Sequence, residues 1–123
     1  MENGRKVRTL AENLDIMLDA VVRLEYLTTC EKAAYEHAKE KTLPNIAHNR
    51  IKGTLLPEAC HENEITKFLT HNIGLDEEEA SDCLLRLYAT GIFVQDGRGW
   101  YAINPRLVQE AIALIREKGW WRR

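Results

Sequence analysis

Apolar residues recur near the start of the chain at the spacing of one helical face. Intervals of four, three, four and three residues separate the members of this stripe, which are Leu10, Leu14, Met17, Val21 and Leu24. Thr9 directly precedes it, and Glu12 lies three residues after Thr9, which is the spacing of a capping box, in which each side chain binds the backbone N–H of the other residue. The pattern predicts an amphipathic helix that begins just after Thr9.

A second capping box, formed by Thr28 and Glu31, predicts another helix directly after Thr28. The residues that follow alternate in charge and leave only a narrow apolar strip, Ala34, Tyr35 and Ala38. Charge alternation of this kind is typical of a solvated helix, so we expect this helix to lie on the surface.

The segment ENEITKFLTHNIG predicts a short helix. Ile65, Phe68 and Leu69 lie at positions i, i+3 and i+4 of one face. Gly74 is a natural stop, because glycine supplies the left-handed residue that follows many helices.

The next segment, LDEEEASDCLLRLYAT, predicts a longer helix to about Thr90. Asp76 and Glu79 form its capping box. Its predicted inward face consists of Ala80, Cys83, Leu84, Leu87 and Tyr88. Helical spacing then turns a second set of residues outward, namely Glu78, Ser81, Asp82, Leu85, Arg86 and Ala89.

Two short runs, IFVQD and WYAIN, predict a β-hairpin. Asp96 and Gly97 stand between them, and this pair is a strong turn signal. Asn104 and Pro105 then open a last helix as cap and first-turn proline, and Gly119 ends it.

The order of short helix, turn, longer helix and hairpin over residues 62–104 resembles the winged helix-turn-helix superfamily. The matching motifs are ITKFL, NIGLDEEE, LLRLYATGIF and QDGRGWY. The resemblance implies a mainly α fold with a two-stranded β-wing and additional N- and C-terminal helices. It divides the chain into a helical extension (1–42), the winged helix (43–104) and a C-terminal helix with its tail (105–123). The first helix of the winged motif comes either from residues 42–60 or from the N-terminal helix.

Most members of the superfamily bind DNA, so the first functional hypothesis is a DNA-binding transcriptional regulator. Ser81 and Arg86 are the outward residues suited to reading bases in the major groove. Arg98, between two glycines at the tip of the wing, is placed to enter the minor groove. The predicted phosphate contacts are Lys67, Thr66 and Thr70. An N-terminal arm with Arg5, Lys6 and Arg8 adds positive charge.

The competing hypothesis is a winged-helix interaction subunit or adaptor that does not bind DNA directly. Glu78 and Asp82 face outward on the helix that would enter the groove, and carboxylates are repelled by phosphates. The formal net charge of the chain is −2, which does not favour nucleic acid by itself. Trp120 and Trp121 near the C-terminus either pack back on the domain or contact a partner. A small accessory factor of a mobile element is a third interpretation.

Wide apolar faces on the first and last helices have two interpretations. Similar flanking helices pair the subunits of small repressors, which predicts a homodimer through the N-terminal stripe of Leu10, Leu14, Met17, Val21 and Leu24. The same faces would also close the core of a monomer.

Other chemistry has little support in the sequence. The three cysteines show no zinc-ligand spacing, and no phosphate loop, nucleophile elbow or catalytic His–Glu helix is present. We therefore expect no metal, no cofactor and no enzymatic activity. No apolar run reaches the roughly 20 residues of a membrane span, and the sparse cysteines favour a cytoplasmic protein.

Overall fold

The computed structural model describes residues 9–51 and 59–120, without the side chains of 44–51. The described chain is mainly helical, with one small antiparallel sheet. Its helices are α1 (Leu10–Val22), α2 (Thr29–Ile51), α3 (Glu62–Phe68), α4 (Glu77–Ala89) and α5 (Pro105–Glu117). Its strands are β1 (Cys60–His61), β2 (Phe93–Gln95) and β3 (Trp100–Ile103). The predictions for the N-terminal arm and for Trp121 lie outside these residues.

The three predicted capping boxes are present, and they set the starts of α1, α2 and α4. In the first box Thr9 N–H donates to Glu12 Oε1 at 2.7 Å, and Glu12 N–H donates to Thr9 Oγ1 at 3.1 Å. The boxes of Thr28 with Glu31 and of Asp76 with Glu79 repeat this geometry. Because each box joins residues three positions apart, it forms without help from the rest of the fold.

The apolar face of α1 packs within the chain, mainly against α5. Leu14 and Met17 are 1% and 4% exposed, and the other stripe residues, Leu10, Val21 and Leu24, are partly buried against the same core. The matching residues of α5 are Val108, Ala111, Ile112 and Ile115. Most of the surface predicted for a dimer contact is therefore used to close the core of one chain.

Helix α2 is a core helix, so the prediction of a solvated helix is wrong. Ala34 and Tyr35 are fully buried, Ala38 is nearly so, and the helix packs against α1, α3, α4 and β3. The narrow apolar strip is sufficient because small alanines allow neighbouring elements to approach closely. Helix α2 also runs through the predicted division at residues 42 and 43, and the buried apolar residues within 9–43 and 59–120 form one cluster.

Lys39 is the unexpected buried charge of α2, with 4% of its surface exposed. Its Nζ lies 2.6 Å from Asp15, 2.7 Å from Asp19 and 3.0 Å from Glu36. Burial by itself lowers the pKa of Lys39, but the bonds to these three carboxylates outweigh it and raise the pKa overall. The Tyr35 hydroxyl also donates to Asp19, at 2.8 Å. A buried ammonium is tolerated here because several anions surround it.

The sheet has three strands, in the order β1-β3-β2, rather than the two that were predicted. The predicted hairpin pairs Phe93 with Ile103 and Gln95 with Tyr101. The additional strand β1 pairs Cys60 with Tyr101 on the other edge of β3. Two residues are too few to show a strand periodicity, which is why the sequence pattern missed β1.

Helix α4 buries the predicted face with one exception. Ala80, Cys83, Leu84 and Leu87 are buried, whereas Tyr88 is 46% exposed. Each helical residue turns the side chain by about 100°, so Tyr88 points away from the stripe that ends at Leu87. Helix α3 continues into a π-helical turn, Leu69–Ile73, and Gly74 ends it at φ 89° as predicted.

Candidate interaction surface on α3 and α4

A groove of about 640 Å³ runs between α3 with its π-helical turn and the first half of α4. Four of the six predicted DNA-contacting residues line it, namely Thr66, Lys67, Thr70 and Ser81. Leu84, Leu85 and Tyr101 supply apolar surface, and Glu62 and Glu77 supply negative charge. The structure therefore gathers the predicted residues of two helices into one concave surface.

The hydroxyl protons of the two threonines are already used in hydrogen bonds to backbone carbonyls. Thr66 Oγ1 donates to the carbonyl of Glu62 at 2.9 Å, and Thr70 Oγ1 donates to the carbonyl of Lys67 at 3.1 Å. A hydroxyl has one proton, and a phosphate oxygen needs a donor. In this orientation neither threonine can donate to a phosphate, so only Lys67 and Ser81 remain as donors from this set.

Arg86 faces α2 and does not line the groove. Its Nε donates to Glu31 Oε2 at 2.9 Å, and its Nη2 donates to Cys30 Sγ at 3.4 Å. Burial tends to raise the pKa of Glu31, but the Thr28 N–H and the Arg86 guanidinium together lower it. The predicted base reader is thus half of an ion pair that joins α4 to α2.

Arg98 lies at the exposed tip of the β2–β3 hairpin, as predicted. The turn is held by Asp96, whose Oδ1 accepts from the backbone N–H of Arg98 at 2.7 Å and of Trp100 at 3.3 Å. The bond from Arg98 lowers the pKa of Asp96, which keeps this carboxylate charged. The guanidinium therefore projects from a defined turn, with a carboxylate two residues away.

Negative charge dominates the part of the chain that forms this surface. Between residues 59 and 104 there are three basic residues, Lys67, Arg86 and Arg98. The same segment has eight acidic ones, namely Glu62, Glu64, Asp76, Glu77, Glu78, Glu79, Asp82 and Asp96. Eight acids against three bases give a formal net charge of −5. Glu31 neutralises Arg86, and Lys41 of α2 neutralises Glu64 through a 2.9 Å ion pair.

Exposed apolar side chains accompany these acids on α4. Leu85 is 53% exposed and Tyr88 is 46% exposed, one helical turn apart. The outward position of Leu85 was predicted, but Tyr101, which is 4% exposed and contributes to the groove from β3, was not. Strand alternation with Ile103 would have shown that Tyr101 faces inward.

Trp120 packs against the core and is partly buried, and its carbonyl accepts from Asn13 Nδ2 of α1 at 2.9 Å. Of the two interpretations of the tryptophan pair, packing back on the domain describes this residue.

Compared with protein-family models, curated proteins and solved structures, the chain matches none. Within residues 9–51 and 59–120, no group of three or more His, Cys, Asp and Glu residues is arranged to hold a metal ion. In the same ranges, no helix has the length and apolar character to cross a membrane.

Proposed function

We propose that this protein is a winged-helix interaction module that binds a basic segment of a protein partner through the α3–α4 groove. The observation that carries the proposal is the net charge of −5 on residues 59–104, where a DNA-binding surface needs positive charge.

The winged-helix assignment is supported by the element order α2, β1, α3, α4, β2, β3. In this assignment α2 is the first of the three helices, a role that the sequence pattern gave to residues 42–60 or to the N-terminal helix. The hairpin is the wing, with Arg98 at its tip, and α1 and α5 are the additional helices.

Electrostatics argues against phosphate as the main ligand of this surface. Duplex DNA carries one negative charge per ~1.7 Å, and affinity comes largely from the cations that neutralise it. Lys67 and Arg98 are the cations of the segment outside the Arg86 ion pair. Glu78 and Asp82 lie exposed on α4 and would be brought towards the phosphates.

The same surface suits a basic amphipathic segment. Leu85 and Tyr88 offer an apolar contact, and buried apolar anchors supply most of the energy at protein interfaces. Glu62 and Glu77 line the groove together with Leu85, and Asp82 lies exposed on α4, so carboxylates are present for Lys or Arg side chains. Complementary charge of this kind sets partner choice and speeds association.

A DNA-binding regulator is the second candidate, and one observation favours it. Lys67 and Ser81 line a single groove, and Arg98 is exposed on the neighbouring hairpin. In this candidate a homodimer would present two such surfaces to successive major grooves.

Fluorescence polarisation with three probes tests the proposal. The probes are a basic amphipathic helical peptide, a scrambled peptide of the same composition, and random-sequence duplex DNA at ~50 mM salt, where electrostatic affinity is strong. We expect the amphipathic peptide to bind more tightly than the scrambled one. Glu77→Lys, at a residue that lines the groove, should weaken its binding about tenfold through like-charge repulsion, while Glu110→Lys on the exposed face of α5 should not.

Tight DNA binding that falls steeply with added salt, together with equal affinity for the two peptides, would overturn the proposal in favour of the second candidate. Arg98→Ala should then reduce the salt slope by about one unit, because one phosphate contact is lost.

A further inference from the structure

Two free cysteines meet where α2 packs against α4. Cys30 lies in the first turn of α2 and is partly exposed, while Cys83 lies in the middle of α4 and is fully buried. Arg86, one helical turn after Cys83, contacts the Cys30 sulfur, and the Cys30 side chain is near enough to Cys83 to help raise its pKa. Neither residue has a role in the interaction surface proposed above.

The sulfur of Cys30, the partly exposed cysteine, lies beside a cation and at a helix N-terminus. Arg86 lies one turn after Cys83 on α4, and its Nη2 is 3.4 Å from Cys30 Sγ. Thr28 Oγ1 lies 3.4 Å from the same sulfur. The thiolate is the form of cysteine that attacks peroxides, and reactive cysteines are found beside cations and helix N-termini. Cys30 has both neighbours and is reached from solvent.

Cys83, the buried cysteine of the pair, is suited to react with Cys30 after Cys30 has been oxidised. Burial, followed by the nearby Cys30 side chain, raises the pKa of Cys83 to about 12. Cys83 therefore stays a thiol at neutral pH and is shielded from direct attack by an oxidant. When an accessible cysteine lies beside a protected thiol, oxidation of the accessible cysteine ends in a disulfide between the two.

We propose that Cys30 and Cys83 form an oxidative modification site, which hydrogen peroxide converts to a disulfide that joins α2 to α4.

The reaction proceeds in two balanced steps. The Cys30 sulfur attacks one peroxide oxygen, the O–O bond breaks, and the departing hydroxide takes up the proton that Cys30 released, giving water and a sulfenic acid. The Cys83 sulfur then attacks the Cys30 sulfur, the S–O bond breaks, and a second water leaves with the proton of Cys83. Two thiols lose two electrons in total, and one peroxide is reduced to two waters.

The disulfide constrains α4 close to the α3–α4 groove, because Cys83 directly precedes Leu84 and Leu84 lines that groove. The covalent bond fixes α4 against α2 whether or not a partner binds in the groove. Formation of the disulfide can therefore be tested separately from the proposed binding of a basic segment.

Peptide mapping by mass spectrometry tests the site on the full chain. The protein is treated with hydrogen peroxide, free thiols are alkylated under denaturing conditions, and peptides are separated without reductant. We expect a linked Cys30–Cys83 peptide, two hydrogens lighter than its parts, that dithiothreitol separates. Cys30→Ser and Cys83→Ala should each abolish it, and Cys60→Ala, which alters the third cysteine, should retain it.

Three outcomes overturn the site. They are sulfinic acid on Cys30 with Cys83 still reduced, linked peptides of Cys60 in equal yield, and no oxidation of either cysteine. Circular dichroism of each variant establishes that it is folded, and the wild-type map alone decides the question if a variant does not fold.

Discussion

The helix pair α1 and α5 and the helix pair α3 and α4 use their surfaces in opposite ways. Leu14 of α1 and Ile115 of α5 are almost completely buried, so the first pair closes on itself. The second pair leaves a groove and exposes Leu85 and Tyr88 among carboxylates. Both α1 and α4 begin at a capping box and have a buried stripe. The difference lies in the outer face: α1 and α5 use their apolar faces in the core, whereas α4 contributes to the core and also exposes apolar side chains.

Truncation of one leucine in each pair should give the largest contrast. Leu14→Ala removes a buried side chain and leaves a cavity, so we expect the free energy of unfolding to fall by about 2–5 kcal/mol. Leu85→Ala removes an exposed side chain and should change it by less than about 0.5 kcal/mol. Urea denaturation measures both. Equal losses would show that α4 buries Leu85 and that the two pairs do not differ as described.

Lys39→Met tests the buried ammonium of α2 that binds the carboxylates of α1. It leaves Asp15, Asp19 and Glu36 without their shared cation, and we expect a loss of about 2 kcal/mol, because these carboxylates retain some water. The pKa of Lys39 is raised in the folded state, so its contribution is complete below its ordinary value of 10.5 and is lost as the pH rises above it.

Unfolding measured from neutral to alkaline pH checks this dependence. The difference between wild type and Lys39→Met should shrink above pH 10.5. Lys32→Met on the exposed side of α2 is the matched control and should match wild type throughout. A difference that is constant with pH would contradict the assigned role of the three carboxylates.

Loss of a capping box should lower the free energy of unfolding by the same amount in both helix pairs. Thr9→Ala at α1 and Asp76→Ala at α4 each remove one side-chain acceptor, and we expect about 1 kcal/mol from each, because caps are local. Thermal unfolding compares the two variants with wild type. A much larger effect at Thr9 would mean that the cap of α1 also supports its packing on α5.

The smallest effect belongs to the ion pair that joins α4 to α2. Arg86→Gln should lower stability by less than about 1 kcal/mol, because the guanidinium is half exposed and solvent screens it. The pKa of Glu31 is lowered in the folded state from 4.5, so its contribution is present above pH 4.5 and is lost as the pH falls through the lowered pKa. Melting temperatures between about pH 3 and 6 should therefore depend less on pH in the variant. An unchanged profile would mean that the Thr28 N–H alone lowers this pKa.

Much of the local structure follows from contacts between residues close in sequence. The capping boxes, the Gly74 stop and the Asp96–Gly97 turn each join residues a few positions apart, so their patterns predicted the elements correctly. The candidate site was predicted in part. Helical spacing brought Ser81 to the outer face of α4, whereas the partner of Arg86 lies 55 residues away and leaves no local pattern.

The amino-acid sequence by itself determined where α1, α2 and α4 begin and where the hairpin turns, because hydrogen bonds within single turns and the periodicity of apolar residues decide these features. Only the tertiary structure decided that α2 is buried, since Lys39 becomes tolerable inside when Asp15 and Asp19 of another helix meet it. It also decided that β1 exists, because two residues become a strand only against β3. Contacts between distant segments set these features, and they set as well which charges remain free on the α3–α4 surface.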